Sequence, residues 1–315
     1  MRTLTININH RYPLSCRHCS LGFSTIYHGD GWKLTHDELN ETVRQVDPEL
    51  YSIVLMAGGE PSLDPDLIRT GIAAAQTAGC TSAVVTAPIW ARSPKAAADF
   101  LSAVDGLGLL ILSYDDYHLE FLSIDHYRNA VSQAVRRGIP VVFQLAYDSD
   151  DERERLKESL GGMRTLAAAF HATRTVGVGN GASSDATGQG VLVKRDEDLD
   201  AIPRSCELGN SFVDYDFSVH GCCWSTASTS SPFRVASDDG ARTVTTALRR
   251  LEGEPLFQRV RSRGFLDSLT REARRAAVDL VRGETVRSEC DLCVRAMNAA
   301  DSPIWEVAEA SHHGK

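Results

Sequence analysis

The chain has 315 residues, with 33 lysine and arginine residues against 42 aspartate and glutamate residues, which gives a formal net charge of −9. The cations are spread along the chain without a basic block, so nucleic acid is not an expected partner. No segment approaches the roughly 20 apolar residues that cross a bilayer, and the first residues lack a signal peptide's apolar stretch, so we expect a cytoplasmic protein with no membrane span.

Strand-like and helix-like segments alternate along the first half of the chain. The predicted strands lie at about 3–9, 51–56, 82–86, 107–113 and 139–146, with a weaker one near 173–178. The predicted helices lie at 35–46, 64–78, 94–104, 124–137 and 150–160. Repeated strand–helix units predict an α/β fold with a parallel sheet, either doubly wound or curled into a barrel. Six such units are too few for an ordinary closed barrel of eight strands.

The pattern changes after the sixth unit. Residues 179–205 are rich in glycine and serine and then acidic, which predicts a linker to a second region of about 100 residues. We therefore expect a barrel domain over 1–200, a cysteine-rich region over 201–300 and a tail over 301–315. Within the second region, the run Phe212–His220 is predicted to form one strand that ends just before two adjacent cysteines.

The cysteines are paired in sequence. The chain has eight, and six of them form the pairs Cys16/Cys19, Cys222/Cys223 and Cys290/Cys293. In a reducing compartment such pairs indicate metal or redox sites rather than disulfides. Cys80, at the start of a predicted strand, has the context of an ordinary buried thiol.

Two loops that follow predicted strands carry distinctive residues. In parallel α/β folds such loops usually hold the functional groups. The first loop runs from Asn9 to Cys19 and contains Cys16, and the second contains Gly58-Gly59-Glu60-Pro61. Taken alone, the cysteine pair is equally compatible with half of a zinc site. Taken alone, the second motif is also typical of a tight turn from strand to helix.

Together these loops resemble those of the radical S-adenosylmethionine (SAM) enzymes. In that family the first loop holds a [4Fe–4S] cluster through three cysteines spaced C-x3-C-x2-C, and the second strand ends in Gly-Gly-Glu-Pro. Cys16 and Cys19 match the last two cysteines, and Tyr12 stands at the first position. The resemblance implies that SAM chelates the iron that the protein leaves open. It also implies that Gly58 and Gly59 approach the methionine moiety.

In the same resemblance Glu60 accepts a hydrogen bond from the SAM ammonium group. Tyr12 leaves three alternatives open for the cluster. A phenol has a pKa near 10 and is a harder ligand than a thiolate, although iron does bind a tyrosine in one class of haem protein. Either Tyr12 ligates the cluster, or the cluster is incomplete and labile, or the chain has lost radical chemistry.

Four cysteines of the second region, spaced C-x15-C…C-x2-C, resemble the single-cluster "twitch" form of the SPASM extension of radical SAM enzymes. They are Cys206, Cys222, Cys290 and Cys293. Four thiolates would close an auxiliary [4Fe–4S] cluster suited to electron transfer. A structural zinc site with four cysteines is the alternative. Phe217 occupies a turn position where the family commonly has glycine.

A narrower resemblance is to the radical SAM peptide epimerases, which invert L-residues of ribosomally made peptides. It rests on the segment Leu112–Phe121, on the Cys222-Cys223 doublet and on the final cysteine pair. It implies a partial (β/α)6 TIM-like barrel, a precursor peptide as substrate, and an electron donor such as flavodoxin or ferredoxin. It also implies that Ser113 and His118 contact SAM, with an ordinary loop histidine as the alternative for His118.

The doublet suits epimerisation chemically. A 5′-deoxyadenosyl radical would remove a Cα hydrogen, and inversion requires a hydrogen atom delivered to the opposite face, which the thiol of Cys223 could supply. Cys222 becomes the donor if the ligand roles are exchanged, because neighbouring strand residues point to opposite faces. The alternatives are a small buried residue at 223, a different radical SAM oxidation or peptide cross-linking, and a non-catalytic homologue.

Overall fold

The computed structural model describes residues 2–19, 32–175, 190–204, 206, 210–222, 231–299 and 303–305. Its first part alternates strands with helices, as the sequence predicts. The strands are β1 (Thr3–Asn9), β2 (Ile53–Gly58), β3 (Thr81–Thr86), β4 (Leu109–Ser113), β5 (Val141–Tyr147) and β6 (Ala169–Arg174). The helices are α1 (His36–Arg44), α2 (Pro65–Thr77), α3 (Pro94–Ala103), α4 (Asp116–Leu119), α5 (Ile124–Arg136) and α6 (Asp150–Ser159).

Strands β1 to β6 lie side by side in chain order, and each pairs in parallel with the next. Strand β6 lies at one edge of this sheet in the described part of the chain. The α/β class and the partial, TIM-like barrel expected from the sequence are thereby confirmed. Strand β6 begins before the weak strand predicted near 173–178.

The alternation of residues along β1 explains where this strand packs. Leu4, Ile6 and Ile8 are fully buried in the hydrophobic core, whereas Thr5 and Asn7 line the interior cavity of the barrel. Successive residues of a strand point to opposite faces, so one face packs on the core and the other is left for a site. The same sequence pattern therefore sets both the core and the site.

Local signals fix the starts of the helices. At α1, Thr35 accepts from the backbone N–H of Glu38 while the Glu38 carboxylate accepts from the backbone N–H of Thr35, which is a capping box. At α3, Ser93 caps the helix and Pro94 occupies its first turn. No helix among the described residues is long and apolar enough to cross a membrane.

The second part of the chain adds five short strands and four helices. They are β7 (Val191–Leu192), β8 (Ser211–Val213), β9 (Val219–His220), β10 (Arg234–Val235), α7 (Val244–Gly253), α8 (Pro255–Arg263), α9 (Arg271–Leu280), β11 (Thr285–Val286) and α10 (Glu289–Asn298). Strand β8 pairs in parallel with β1, and β9 and β10 extend the same sheet to nine strands. The sheet therefore crosses the boundary that we expected near residue 200.

Two expectations about this part are wrong. The run Phe212–His220 is a hairpin rather than one strand, because Asp214 and Asp216 accept hydrogen bonds from backbone N–H groups of the turn, at 2.9 Å each. In the predicted linker 179–205, the described residues 190–204 contain regular secondary structure. They include β7, which pairs with β11, and a short 3₁₀ helix, Asp196–Ala201, with buried Leu199.

Candidate active site

One cavity of about 770 Å³ occupies the barrel interior and reaches the loops that follow the strands. It is lined by all but one of the site residues that the sequence singled out. These are Tyr12, Cys16, Cys19, Gly58, Gly59, Glu60, Ser113, His118, Cys206, Cys222, Cys290 and Cys293. The exception, Cys223, lies outside the described residues. The fold thus brings the cysteines of both regions to one space.

Asn9, the last residue of β1, and Arg11, just after it, hold the start of the first loop. The side chain of Asn9 donates to the backbone oxygen of Glu60 at 3.1 Å and to the carboxylate of Asp64 at 3.0 Å. The Arg11 guanidinium contacts the same carboxylate at 3.2 Å. Farther along, the backbone N–H of Cys19 donates to the oxygen of Cys16 at 3.2 Å, forming a turn. These contacts fix the backbone that carries both thiols.

Gly58 and Gly59 let the second loop lie directly against the first. The backbone N–H of Gly59 donates to Asn9 O at 2.8 Å, and that of Glu60 donates to Arg11 O at 2.8 Å. A Cβ at Gly58 would lie 2.3 Å from Asn9 O, and one at Gly59 would lie 2.2 Å from Arg11 O. In the described part of the chain, the two glycines therefore allow the backbones of the two loops to touch. Their contact with SAM stays a prediction.

Glu60 is buried, with 3% of its surface exposed. Its carboxylate accepts from the N–H of Ser62 at 2.9 Å, from the N–H of Ala87 at 2.9 Å and from the hydroxyl of Thr86. Burial raises the pKa of this carboxyl group, and the three hydrogen bonds oppose that rise. Glu60 thus ties the loop after β2 to the end of β3, and its contact with SAM remains a prediction.

Tyr12 lines the cavity near Cys19 and Asp214. Burial raises the pKa of its phenol far above the ordinary value, and the negative charges of Cys19 and Asp214 raise it further. An ionised phenolate is therefore strongly disfavoured here. The thiols of Cys16 and Cys19 fit a metal centre, and burial disfavours the phenolate that Tyr12 would need in order to join them as a third ligand.

The segment after β4 forms a second group beside the first loop. Asp115 caps α4 by accepting from the backbone N–H of His118 at 2.9 Å, and it also bonds the Nδ1 of that imidazole at 2.8 Å. The imidazole hydrogen-bonds Cys16 as well. Burial lowers the pKa of His118, but the charges of Asp115 and Cys16 outweigh it and raise the pKa to about 10. Burial would raise the pKa of Asp115, but the charge and hydrogen bonds of His118 outweigh this effect and lower the pKa of the carboxyl group.

His18 and Asp115 belong to this group, although sequence reasoning did not single them out. His18 Nε2 lies 3.5 Å from the Asp115 carboxylate, and its ring stacks on Tyr117 at 4.4 Å. One ligand atom each from His18, Asp115 and His118 lies within 4.8 Å of the others, which is close enough to share a metal ion. The available signals were the position of His18 between two cysteines and the position of Asp115 before a helix.

The four cysteines of the second region also converge. Cys290 and Cys293 lie in the first half of α10, which Ser288 caps. Cys293 is buried, and burial together with the charges of Cys222, Cys206 and Cys290 raises its pKa well above the ordinary value. Such mutual influence indicates that the four thiols lie within range of one another's charges. This donor set fits a metal centre with four thiolates, which would relieve the repulsion.

Glu289, beside this cysteine cluster, joins its segments. Glu289 is buried, with 2% of its surface exposed. Its carboxylate accepts from the N–H of Cys206 at 3.1 Å and from the N–H of Leu266 at 2.8 Å. The hairpin before Cys222 turns at Phe217, whose φ of 59° lies in the left-handed region. The family resemblance predicts glycine at this turn, and the left-handed conformation is the one that glycine adopts most readily.

Comparison with known families gives one match, to the model described as the Radical SAM superfamily, over residues 7–160. No curated protein sequence matches this chain.

Solved structures with a similar fold include hexahistidine-tagged anSMEcpe with bound AdoMet, with a TM-score of 0.57 and 12% identity over 99% of each chain. BtrN in complex with AdoMet and 2-DOIA gives a TM-score of 0.41 at 11% identity, over 85% of this chain and 87% of BtrN. The methylornithine synthase PylB gives 0.43 at 14% identity, over 55% of this chain, which spans 53% of PylB. At these identities, the likeness to anSMEcpe shows the fold alone.

Proposed function

Residues 7–160 match the Radical SAM superfamily model, and on this basis we propose that the chain is a peptide epimerase. In the proposed reaction, an L-residue of a ribosomally made peptide becomes a D-residue by removal and return of its Cα hydrogen. The observation that carries the proposal is the shared cavity, which is lined by the thiols of both cysteine-bearing regions. Removal and return must reach two faces of one carbon, so both must act in one space.

The proposal requires SAM and two [4Fe–4S] clusters. When bound and reduced, the first cluster and SAM supply the one-electron chemistry that removes an unactivated hydrogen atom. Cys16 and Cys19 would hold the first cluster, and the four C-terminal cysteines the auxiliary one. We expect SAM to be positioned by Gly58, Gly59, Glu60 and Ser113, which line the same cavity. An electron donor such as flavodoxin or ferredoxin would be the partner.

The cavity wall has a polar side suited to a peptide backbone. Gln144 on β5 and His171 and Arg174 on β6 line it, whereas β2 contributes apolar residues such as Leu55. Arg174 is held by an ion pair with Asp150 at 3.1 Å. Peptide groups enter an apolar space at a high cost unless they find hydrogen-bond partners there. The polar side chains on β5 and β6 would supply those partners.

We assign the return of hydrogen to Cys223. It follows Cys222, which lines the cavity, although Cys223 itself lies outside the described residues. In the proposed step the S–H bond breaks, its hydrogen atom forms the new Cα–H bond on the opposite face, and a thiyl remains. One electron and one proton from the reductant and solvent then restore the thiol.

Solvent deuterium tests this step because a thiol exchanges its hydrogen with water and a Cα–H bond does not. In D2O, the inverted residue should gain one deuterium and the peptide one mass unit, while unlabelled hydrogen appears in 5′-deoxyadenosine. Cys223→Ala should still produce 5′-deoxyadenosine but lose nearly all D-residue formation. Mass spectrometry and chiral amino-acid analysis measure both products.

Two variants serve as controls. Cys222→Ala should lower auxiliary iron as well as turnover, whereas Cys80→Ala, which removes a buried thiol that bonds Tyr51 O at 3.2 Å, should preserve D-residue formation. Equal D-residue formation by Cys223→Ala and the parent, or the absence of deuterium at Cα, would rule out this donor. The reaction would then be a different radical SAM oxidation or cross-linking of a peptide or small metabolite.

The buried phenol of Tyr12 favours a second candidate, a non-catalytic homologue that binds SAM or a peptide through the same fold. The two candidates differ in SAM cleavage. Anaerobically reconstituted protein with dithionite should form 5′-deoxyadenosine if the chain is an enzyme. Saturable SAM binding without any cleavage would instead support the non-catalytic candidate.

A further inference from the structure

We propose that His118, oriented by Asp115, is the third protein ligand of the metal centre held by Cys16 and Cys19. The inference rests on the proposed function for the identity of the metal, an iron–sulfur cluster. It replaces Tyr12 as the ligand at that centre, and it gives His118 a role other than the SAM contact that the sequence implied.

The imidazole of His118 is fixed from two directions. Its Nδ1 lies 2.8 Å from each oxygen of the Asp115 carboxylate, and its ring also hydrogen-bonds Cys16. The backbone N–H of His118 bonds the same carboxylate at 2.9 Å. Since Asp115 itself is 1% exposed, the ring has little freedom to turn away from the thiol.

This arrangement is the one that proteins use around metal-ligating histidines. Such a histidine almost always donates its other ring N–H to a carboxylate, which fixes the ring and the tautomer. With Nδ1 of His118 engaged by Asp115, the hydrogen bond to Cys16 falls to Nε2, so a metal beside Cys16 would take this nitrogen and displace its proton. Two thiolates and one imidazole then leave one coordination position of a four-iron cluster open, as SAM chelation requires.

The neighbouring imidazole of His18 offers a matched comparison. It belongs to the same potential ligand group, but its contact with Asp115 is longer, 3.5 Å, and its ring stacks on Tyr117. The geometry thus favours His118 over His18 as the ligand.

An imidazole in place of a thiolate also removes one negative charge, which raises the reduction potential of an iron–sulfur centre.

The test is a direct search for a histidine nitrogen bound to the cluster, without SAM, whose amino group would also contribute nitrogen. The full chain is labelled with 15N-histidine, reconstituted anaerobically with ferrous iron and sulfide, reduced, and studied by pulsed electron paramagnetic resonance. The parent should show a 15N coupling that His118→Ala loses together with the iron of the first site. His18→Ala and Tyr12→Phe should retain both. His118→Cys should regain the iron without the coupling and should lower the potential.

Absence of the coupling in the parent, or its persistence in His118→Ala, would overturn the proposal. Loss of first-site iron in Tyr12→Phe but not in His118→Ala would assign the ligand to Tyr12 instead. SAM cleavage is measured separately, so the two ideas can fail independently. A nitrogen-ligated cluster that never cleaves SAM would support His118 as the ligand and contradict the proposed enzyme. Brisk SAM cleavage without the nitrogen coupling would support the enzyme and contradict His118 as the ligand.

Discussion

At the scale of single residues, Tyr12 decides how tightly the first site can hold iron. Its buried phenol stands at the sequence position where the C-x3-C-x2-C motif has its first thiolate. Tyr12→Cys should therefore raise the iron retained against a chelator and increase the formation of 5′-deoxyadenosine several-fold, because the new thiolate is the better ligand for such clusters and would replace the imidazole of His118 as the third one. Iron analysis and product chromatography measure the two effects. Tyr12→Phe is the matched control and should leave iron unchanged, and a loss of iron in that variant would show that the phenol is a ligand.

The sequence predicted that the cysteine and glycine motifs would follow strands of one sheet, but not which hydrogen bonds the residues around them would form. The cysteine and glycine motifs follow strands of a parallel sheet, so their convergence could be anticipated. The pairing of His118 with both Asp115 and Cys16 could not, since it depends on how α4 begins and on where the first loop lies. Burial of the Tyr12 phenol is likewise a tertiary property that no local pattern encodes.

At the scale of elements, the loops after β1 and β2 act as one unit because two glycines let their backbones touch. In Gly59→Ala the added Cβ would lie 2.2 Å from the backbone oxygen of Arg11, where overpacking costs about 1–3 kcal/mol. The first loop should shift, and iron at the first site should fall at least several-fold while the auxiliary iron stays. Gly162→Ala, with nothing within 4 Å of its Cβ, is the control. Unchanged first-site iron in Gly59→Ala would refute this coupling.

The long elements could be predicted because hydrophobic periodicity and helix caps are local signals. The ends of α2, α3 and α5 lie within a residue or two of the predicted limits. The hairpin β8–β9 was missed because alternating aromatic and β-branched residues mask a turn that Asp214 and Asp216 create with their side chains. Strands of two residues, such as β7 and β11, are set by their partners rather than by their own sequence.

At the scale of the whole molecule, the cysteine-rich region is bound to the edge of the barrel. Strand β8 pairs with β1, the backbone N–H of Thr3 donates to Asn210 at 3.2 Å, and the hydroxyls of Tyr51 and Ser211 lie 2.8 Å apart. Arg2 forms an ion pair with Glu252 of α7. Contacts that are this extensive join the two regions in one sheet, so we expect them to unfold together.

The last prediction follows from that joining. A metal centre held by Cys206, Cys222, Cys290 and Cys293 would link three distant segments of the chain, and its binding energy would add to the folding free energy. Reconstituted protein should be brown and unfold in one calorimetric transition. Replacing Cys290 and Cys293 by alanine should remove most auxiliary iron and lower the Tm of the whole protein by several degrees, with amide exchange accelerating in β1 as well as in β8. Cys80→Ala should keep the iron.

A colourless protein with stoichiometric zinc would show that the site is a zinc site and not an auxiliary cluster. Two separate transitions, with β1 unaffected by loss of the metal, would show that the cysteine-rich region folds on its own despite the shared sheet.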